Sequence, residues 1–306
     1  MISIVIPLYD KADQVKETLE SVRLQTFTAY EVIIVDDGST DGSLDIVGHY
    51  LREWGDFSRK VRLFSQPNRG VSAARNKGIQ ESLFDWIAFL DADDTWLPEY
   101  LQYQYELSLK YPFCEVLAAA YTVRYNAGKI VPVKSSRLPF DHEDGVLDNY
   151  FEVAACSYPP LSSLVTIVRK SAMQAVGGFP EGISTGEDLL TWARLAVNCK
   201  IAYNKKRLAL YDRDVSRRNH DQRSRMPARE DRVGGYLEDL FRRHMDIRGL
   251  KQYVGAWYKM RTRIYLSHSM RREALMEWRK LVRFSPVNYK TWLYLILLIS
   301  PVKILQ

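Results

Sequence analysis

Two short apolar runs in this chain each close on a cluster of carboxylates. Val32-Ile33-Ile34-Val35 ends in Asp36-Asp37, and Trp86-Ile87-Ala88-Phe89-Leu90 ends in Asp91-Ala92-Asp93-Asp94. Carboxylates crowded in this way repel one another unless a cation or a donor-rich ligand joins them. In extended backbone, Asp91 and Asp93 would project to the same side with their Cα atoms about 6–7 Å apart. That spacing suits one divalent metal ion or the diphosphate bound to it. The residue types therefore point to a metal-assisted site for a phosphorylated ligand.

The elements that must carry these groups are legible in the apolar pattern. Each run is short, continuous and rich in β-formers, as a strand buried on both faces should be. Residues 2–7 read as another buried strand, ended by Pro7, and 61–64 as a third candidate. Residues 13–26 have the period of an amphipathic helix, with Val15, Leu19 and Val22 on one face and Asp13 placed as N-cap. Turn residues Gly38 to Gly42 lead into a helix from Ser43, and Gly70 opens one that carries Ala73, Ala74, Asn76 and Lys77. Strands alternating with helices predict an α/β fold with a doubly wound, mostly parallel central sheet. Ligands of such sheets gather outside the carboxyl ends of the strands, where both acidic clusters fall. Further along, helices are expected over 100–111, 187–196, 236–245, 251–266 and 271–283, and a strand over 116–125. A polar loop is expected over 136–148 and a mobile basic loop over 203–232.

Composition narrows the classes. With 306 residues, 46% hydrophobic and 26% charged, the chain is globular rather than disordered and can hold one large domain or two small ones. Cys114, Cys156 and Cys199 are too few and too scattered for a disulfide frame or a zinc site, and read as buried thiols of a reducing compartment. No basic n-region precedes Ile2-Ser3-Ile4-Val5-Ile6, so no signal peptide is expected and the location is read as cytoplasmic. Charge divides sharply: residues 1–199 hold 18 Lys+Arg and 27 Asp+Glu, whereas 200–306 hold 25 and 10. An acidic front and a basic rear imply two different partners. The rear carries no nucleic-acid-binding motif, and no nucleic acid is expected. Residues 292–299 are continuously apolar, but the charge-free stretch 291–302 is 12 residues. A bilayer span needs about 20. Two readings stay open, a buried helix or an interfacial anchor that docks the chain peripherally on the inner face of the cell membrane.

Four fragments stand in order: Ile4-Val5-Ile6-Pro7-Leu8-Tyr9, Val35-Asp36-Asp37-Gly38-Ser39-Thr40-Asp41, Asn68-Arg69-Gly70-Val71-Ser72-Ala73-Ala74-Arg75-Asn76-Lys77-Gly78 and Phe89-Leu90-Asp91-Ala92-Asp93-Asp94. With Gly186-Glu187-Asp188-Leu189-Leu190-Thr191-Trp192-Ala193-Arg194, they resemble the family 2 glycosyltransferases of the GT-A fold, inverting enzymes of the bacterial polysaccharide type. The resemblance is dense over residues 2–97. It implies a catalytic domain over 1–210 and leaves a basic helical region over 211–306 with a membrane-surface anchor as one reading.

The resemblance also assigns roles. It implies a nucleotide-sugar donor, UDP-linked, with Pro7 and Tyr9 shaping the nucleoside pocket and Asp36 or Asp37 accepting from base or ribose. Arg75 stands where the family has a basic residue near the phosphates. Asp91, Ala92 and Asp93 match the Asp-x-Asp element, whose carboxylates hold Mn²⁺ or Mg²⁺ on the diphosphate. Asp94 fits ligation or capping of a following helix equally well. Asp188 matches the general base, and Glu187 beside it would orient it or bind the acceptor. That acceptor is implied to be a glycan or a lipid-linked sugar. His220 stands where some relatives have a further metal or phosphate contact, and is otherwise a solvated loop histidine. Arg217, Arg218, Arg223 and Arg225 would fold over the diphosphate or simply face water.

Rival readings are weaker. Asp91-Ala92-Asp93-Asp94-Thr95 also fits the Asp-x-Asp-x-Thr element of haloacid-dehalogenase-type phosphatases, with Asp91 as nucleophile. The residues before it carry a different pattern. No G-x-G-x-x-G follows the first strand, which disfavours a dinucleotide-dependent oxidoreductase. A relative that binds a nucleotide sugar without turnover is opposed by intact Asp91, Asp93 and Asp188.

Overall fold

The computed structural model describes residues 1–213, 226–228 and 230–299. Two compact units divide the chain: Met1–Asp148 with Pro160–Asp221, and Asn149–Pro159 with Gln222–Gln306.

The first unit is built on one sheet. Its strands are β1 (Ile2–Leu8), β2 (Tyr30–Asp36), β3 (Val61–Ser65), β4 (Trp86–Phe89), β5 (Thr95–Trp96), β6 (Val116–Arg124), β7 (Ile130–Pro132), β8 (Asp144–Val146), β9 (Thr166–Arg169) and β10 (Ile201–Asp212). The sheet order is β3-β2-β1-β4-β9-β6-β10-β5, with β7 on β6 and β8 on β10. β3, β2, β1 and β4 are all parallel, as the alternation of strands and helices requires. Their residues are the expected apolar runs, and β1, β2 and β4 are buried throughout. β9 runs antiparallel to both β4 and β6.

Helices α1 (Val15–Arg23), α2 (Ser43–Glu53), α3 (Gly55–Ser58), α4 (Val71–Glu81) and α5 (Tyr100–Lys110) connect the strands. α1 buries Val15, Leu19 and Val22, the stripe read from sequence. Its N-cap is Gln14, and no side chain caps it, so Asp13 does not have the capping role expected of it. α4 approaches the sheet through Gly78, where a Cβ would stand 2.3 Å from Val5 Cγ1. After α6 (Tyr150–Cys156) and α7 (Lys170–Ala175) comes α8 (Glu187–Asn198).

Several expectations need correction. Residues 203–212 are not loop but the greater part of β10, while 214–225 lie outside the described residues. The expected polar loop 136–148 contains β8, which pairs with β10. Asp94 caps no helix, because β5 follows it and α5 begins at Tyr100. Asp94 is instead buried and accepts the Asp212 N–H at 3.0 Å. Of the three thiols Cys114 is buried, Cys199 half-buried and Cys156 exposed. Burial pushes the Cys114 thiol up to about 11. Burial, then Glu115, pushes that of Cys199 up to about 12.

The second unit is helical, with α9 (Arg232–Arg243), α10 (Leu250–Ser267), α11 (Arg271–Phe284) and α12 (Tyr289–Ile299) joining α6. At its heart Arg261 of α10, itself buried, donates to Glu277 Oε1 of α11 at 3.1 Å and lies 3.4 Å from Asp231 Oδ2, the N-cap of α9. Three helices are thus tied to one buried guanidinium, paired well enough to offset its desolvation. No described helix is long and apolar enough to cross a membrane.

Candidate functional site

Strand order reverses between β1 and β4, which makes their carboxyl ends a topological switch point and the expected place for a ligand crevice. Pro7 shows how the crevice opens. Val5 and Pro7 face the β4 edge of β1, and Val5 O accepts the Leu90 N–H at 3.1 Å. The β1–β4 register ends at Val5–Phe89, so the N–H that Pro7 lacks would have had no strand partner on that side. Beyond β1, Tyr9 is 45% exposed at the rim.

Loops after β1 and β2 then lock together. Asp10 N–H donates to Ser39 Oγ (3.1 Å), Lys11 N–H to Ser43 Oγ (2.7 Å) and Ala12 N–H to Asp41 Oδ2 (2.9 Å). In return Thr40 N–H donates to Asp10 Oδ1 at 2.8 Å, which holds Asp10 in the left-handed region at φ 48°. Burial opposes ionisation of Asp41, but hydrogen bonds from the Ser43 hydroxyl and the Ala12 and Ser43 amides outweigh it and hold the carboxyl below its ordinary value.

Asp36 and Asp37 are both buried and both used within the chain. Asp36 Oδ1 accepts the Ser39 N–H at 3.1 Å. Asp37 accepts from Gln66 Nε2 (2.7 Å), Arg69 N–H (2.9 Å) and Gly70 N–H (2.8 Å). Asp37 therefore clasps the 66–70 turn that leads into α4.

The turn delivers Arg75. Its guanidinium has 4% exposure, donates from Nη2 to Asp91 Oδ1 at 2.7 Å and lies 3.7 Å from Glu187 Oε1. Burial works against its charge, but Asp91, Glu187 and Asp188 more than offset this and raise its pKa above the ordinary value. Beneath it lies the Phe179 ring, 5.1 Å from the guanidinium carbon and edge-on to Phe89 and Trp192. Asn76, the next residue of α4, donates to Phe179 O and accepts the Phe179 N–H, each at 2.8 Å. Arg75 Nε and Nη1 are buried with no hydrogen-bond partner among the described residues.

Gly186, in the left-handed region at φ 84°, turns the chain into α8, a conformation a Cβ would strain. Glu187 and Asp188 form the first turn of α8, Glu187 buried against Arg75 and Asp188 half-buried. Of the expected site residues, Asp91, Arg75 and Glu187 are in direct contact, and Asp188 lies close enough to act on the same guanidinium. Ala92 is buried in the core cluster. His220 lies outside the described residues, as do Arg217, Arg218, Arg223 and Arg225.

Sequence reasoning missed Lys11, whose Nζ donates to Asp93 Oδ2 at 2.7 Å. The signal available was its place just past β1, which faces β4 across the switch point. Asp91 and Asp93 are hard oxygen donors, suited to Mg²⁺ or Mn²⁺. Among the described residues no group of three or more His, Cys, Asp or Glu could hold a metal ion alone. Two carboxylates fit a cation whose remaining ligands come from a bound diphosphate and water. A carboxylate held by a buried guanidinium is a poor nucleophile, which counts against the phosphatase reading of Asp91.

A family model described as glycosyl transferase family 2 matches residues 3–158. An uncharacterised glycosyltransferase of Escherichia coli, YibD, is 43% identical over 97 residues, covering 32% of this chain and 27% of that protein. The match thus spans about a quarter of this curated relative. Staphylococcus aureus TarS 1–349 in complex with UDP-GlcNAc superposes with a TM-score of 0.71 at 17% identity, over 95% of this chain and 82% of that one. The mannosyltransferase PcManGT of Pyrobaculum calidifontis, in complex with GDP-Man and Mn²⁺, gives 0.57 at 17% identity over 97% and 85%.

Proposed function

The chain belongs to glycosyl transferase family 2, and we propose that it moves a sugar from a UDP-sugar to a hydroxyl of a glycan or lipid-linked acceptor in surface polysaccharide assembly. Its sheet has the GT-A arrangement expected from the sequence. The observation that carries the reading is the Arg75 bridge, which joins Asp91 of the donor motif to Glu187 of the helix bearing the acceptor-side acids. A neighbouring structure that holds UDP-GlcNAc, and another that holds GDP-Man with Mn²⁺, support a nucleotide-sugar donor and a divalent cation.

On this reading the nucleoside lies at Pro7 and Tyr9, walled by the loop that Asp36 and Asp37 shape. Asp91 and Asp93 would hold Mn²⁺ or Mg²⁺, and the ion would supply Lewis-acid stabilisation of the charge on the departing diphosphate. The acceptor hydroxyl attacks the anomeric carbon opposite the diphosphate, so the new C–O bond inverts that centre as the bond to the phosphate oxygen breaks. Asp188 takes the hydroxyl proton. Glu187, paired with Arg75, fixes the first turn of α8 beneath it. The acceptor reaches the site from a membrane surface met by the basic, apolar rear of the chain.

The test is nucleoside-diphosphate release from a panel of nucleotide sugars with Mn²⁺, Mg²⁺ or EDTA, in wild type and Asp93→Ala. Metal-dependent release from one donor, lost in Asp93→Ala, is the expected result. The absence of both turnover and calorimetric binding with every donor would overturn the reading. Binding without turnover would favour the non-catalytic relative, unless an added acceptor restores transfer.

A further inference from the structure

Each carboxylate of Asp91-x-Asp93 holds a protein cation, and the two cations differ in kind. Arg75, on Asp91, is buried and braced by Phe179 and Glu187. Lys11, on Asp93, keeps 29% of its side chain exposed and ends in a compact ammonium on a flexible stem. Its backbone is pinned: the N–H donates to Ser43 Oγ at 2.7 Å, and the carbonyl accepts Gln14 N–H at 3.1 Å and Val15 N–H at 2.9 Å. The stem is therefore anchored while its tip can swing away from Asp93.

We propose that Lys11 is a tethered monocation that competes with the divalent ion for Asp93 and yields it when cation and nucleoside diphosphate arrive together. The inference rests on the reading of Asp91 and Asp93 as the ion's protein ligands. An ammonium and a divalent ion cannot share one carboxylate without repulsion, so Lys11 weakens binding of the ion by itself. A diphosphate gives the displaced ammonium a new anion within reach of its stem. The ammonium thus couples the two ligands, each favouring the other. The role is one of positioning and order of binding, because Lys11 contacts Asp93 and not the reacting atoms.

The experiment titrates Mn²⁺ into the full chain, with and without UDP, and reads bound Mn²⁺ by electron paramagnetic resonance and calorimetry. Lys11→Met keeps the stem and both backbone anchors but removes the charge. It is expected to bind Mn²⁺ about fivefold tighter without UDP, the scale of a partly exposed ion pair, and to gain less from UDP than wild type does. Lys11→Arg restores a charge and should return towards wild type, which a purely structural role would not require. Unchanged Mn²⁺ affinity in Lys11→Met, while Asp93→Asn abolishes binding, overturns the proposal and leaves the metal site standing. Binding indifferent to Asp93→Asn overturns the proposal together with the reading beneath it.

Discussion

At the residue scale the site turns on a guanidinium that holds acids from two distant stretches of chain. Arg75 has 4% exposure, and its partners Asp91 and Glu187 would face each other as like charges without it. Removing one partner of a buried ion pair costs more than the pair contributes, because the other charge stays desolvated. Arg75→Met is therefore expected to lose about 1–3 kcal/mol of stability, read by urea unfolding, because Glu187 is left desolvated while Asp91, 35% exposed, can be rehydrated. Adding Glu187→Gln should recover part of that loss, since one of the stranded charges is then neutral. A loss below about 1 kcal/mol would mean that water already screens the pair. Asp91 was legible from its place just past a strand, whereas Glu187 was legible only through the family resemblance. Lys11 was not, because its place just past β1 does not by itself say that it pairs with Asp93 in the turn after β4. Nor could the sequence show that Asp37 spends its carboxylate on Gln66 and the amides of Arg69 and Gly70.

At the scale of elements, α4 carries Arg75 and Asn76 into place, and Gly78 sets how closely it lies on β1. A Cβ there would stand 2.3 Å from Val5 Cγ1, and Val5 is a stiff, fully buried side chain. Gly78→Ala gains about 1 kcal/mol of helix propensity but must lift the helix or displace the strand. Overpacking of this kind costs about 1–3 kcal/mol, and the net effect is expected to be a lower melting temperature and weaker donor binding. Val5→Ala in the same chain should relieve both losses if the clash is their cause. Parallel strands and α4 were readable because an apolar run or a helical stripe declares itself locally. β10 was not, since Lys205-Lys206-Arg207 interrupts it. In the fold those residues sit at a register shift against β6, with Lys205 Nζ bound to Phe140 O and Asp141 O and Lys206 lying over the Tyr103 ring. Pairing with β6 and β8 makes this segment a strand, and pairing over that distance leaves no local trace. β9 escaped notice for the same reason, being four residues long and defined by β4 and β6 on either side.

Along the whole chain, positive charge concentrates in residues 200–306, and one helix there carries an exposed apolar stripe. Residues 200–306 hold 25 Lys+Arg against 10 Asp+Glu. α12 buries Thr291 and Leu298 but exposes Tyr289, Trp292, Leu293 and Ile296, spaced so that they line one side of the helix. Neither open reading of this segment describes it alone: one edge is core, and the opposite edge is apolar and wet. An aromatic and aliphatic stripe on a basic unit suits the boundary of an anionic bilayer. The full chain should therefore float with vesicles containing anionic lipid at low salt, and less so as ionic strength rises and the Debye length falls towards about 8 Å. Leu293→Ser with Ile296→Ser should weaken flotation at every salt concentration, because both side chains are about half exposed and their loss removes apolar contact rather than charge. Substituting them should leave the melting temperature and soluble-donor hydrolysis near wild type, separating docking from chemistry. A full-length protein that stays wholly in solution at low salt would rule the surface out as a docking face. Acceptor delivery would then have to come from a soluble glycan, and the exposed stripe of α12 would need another partner.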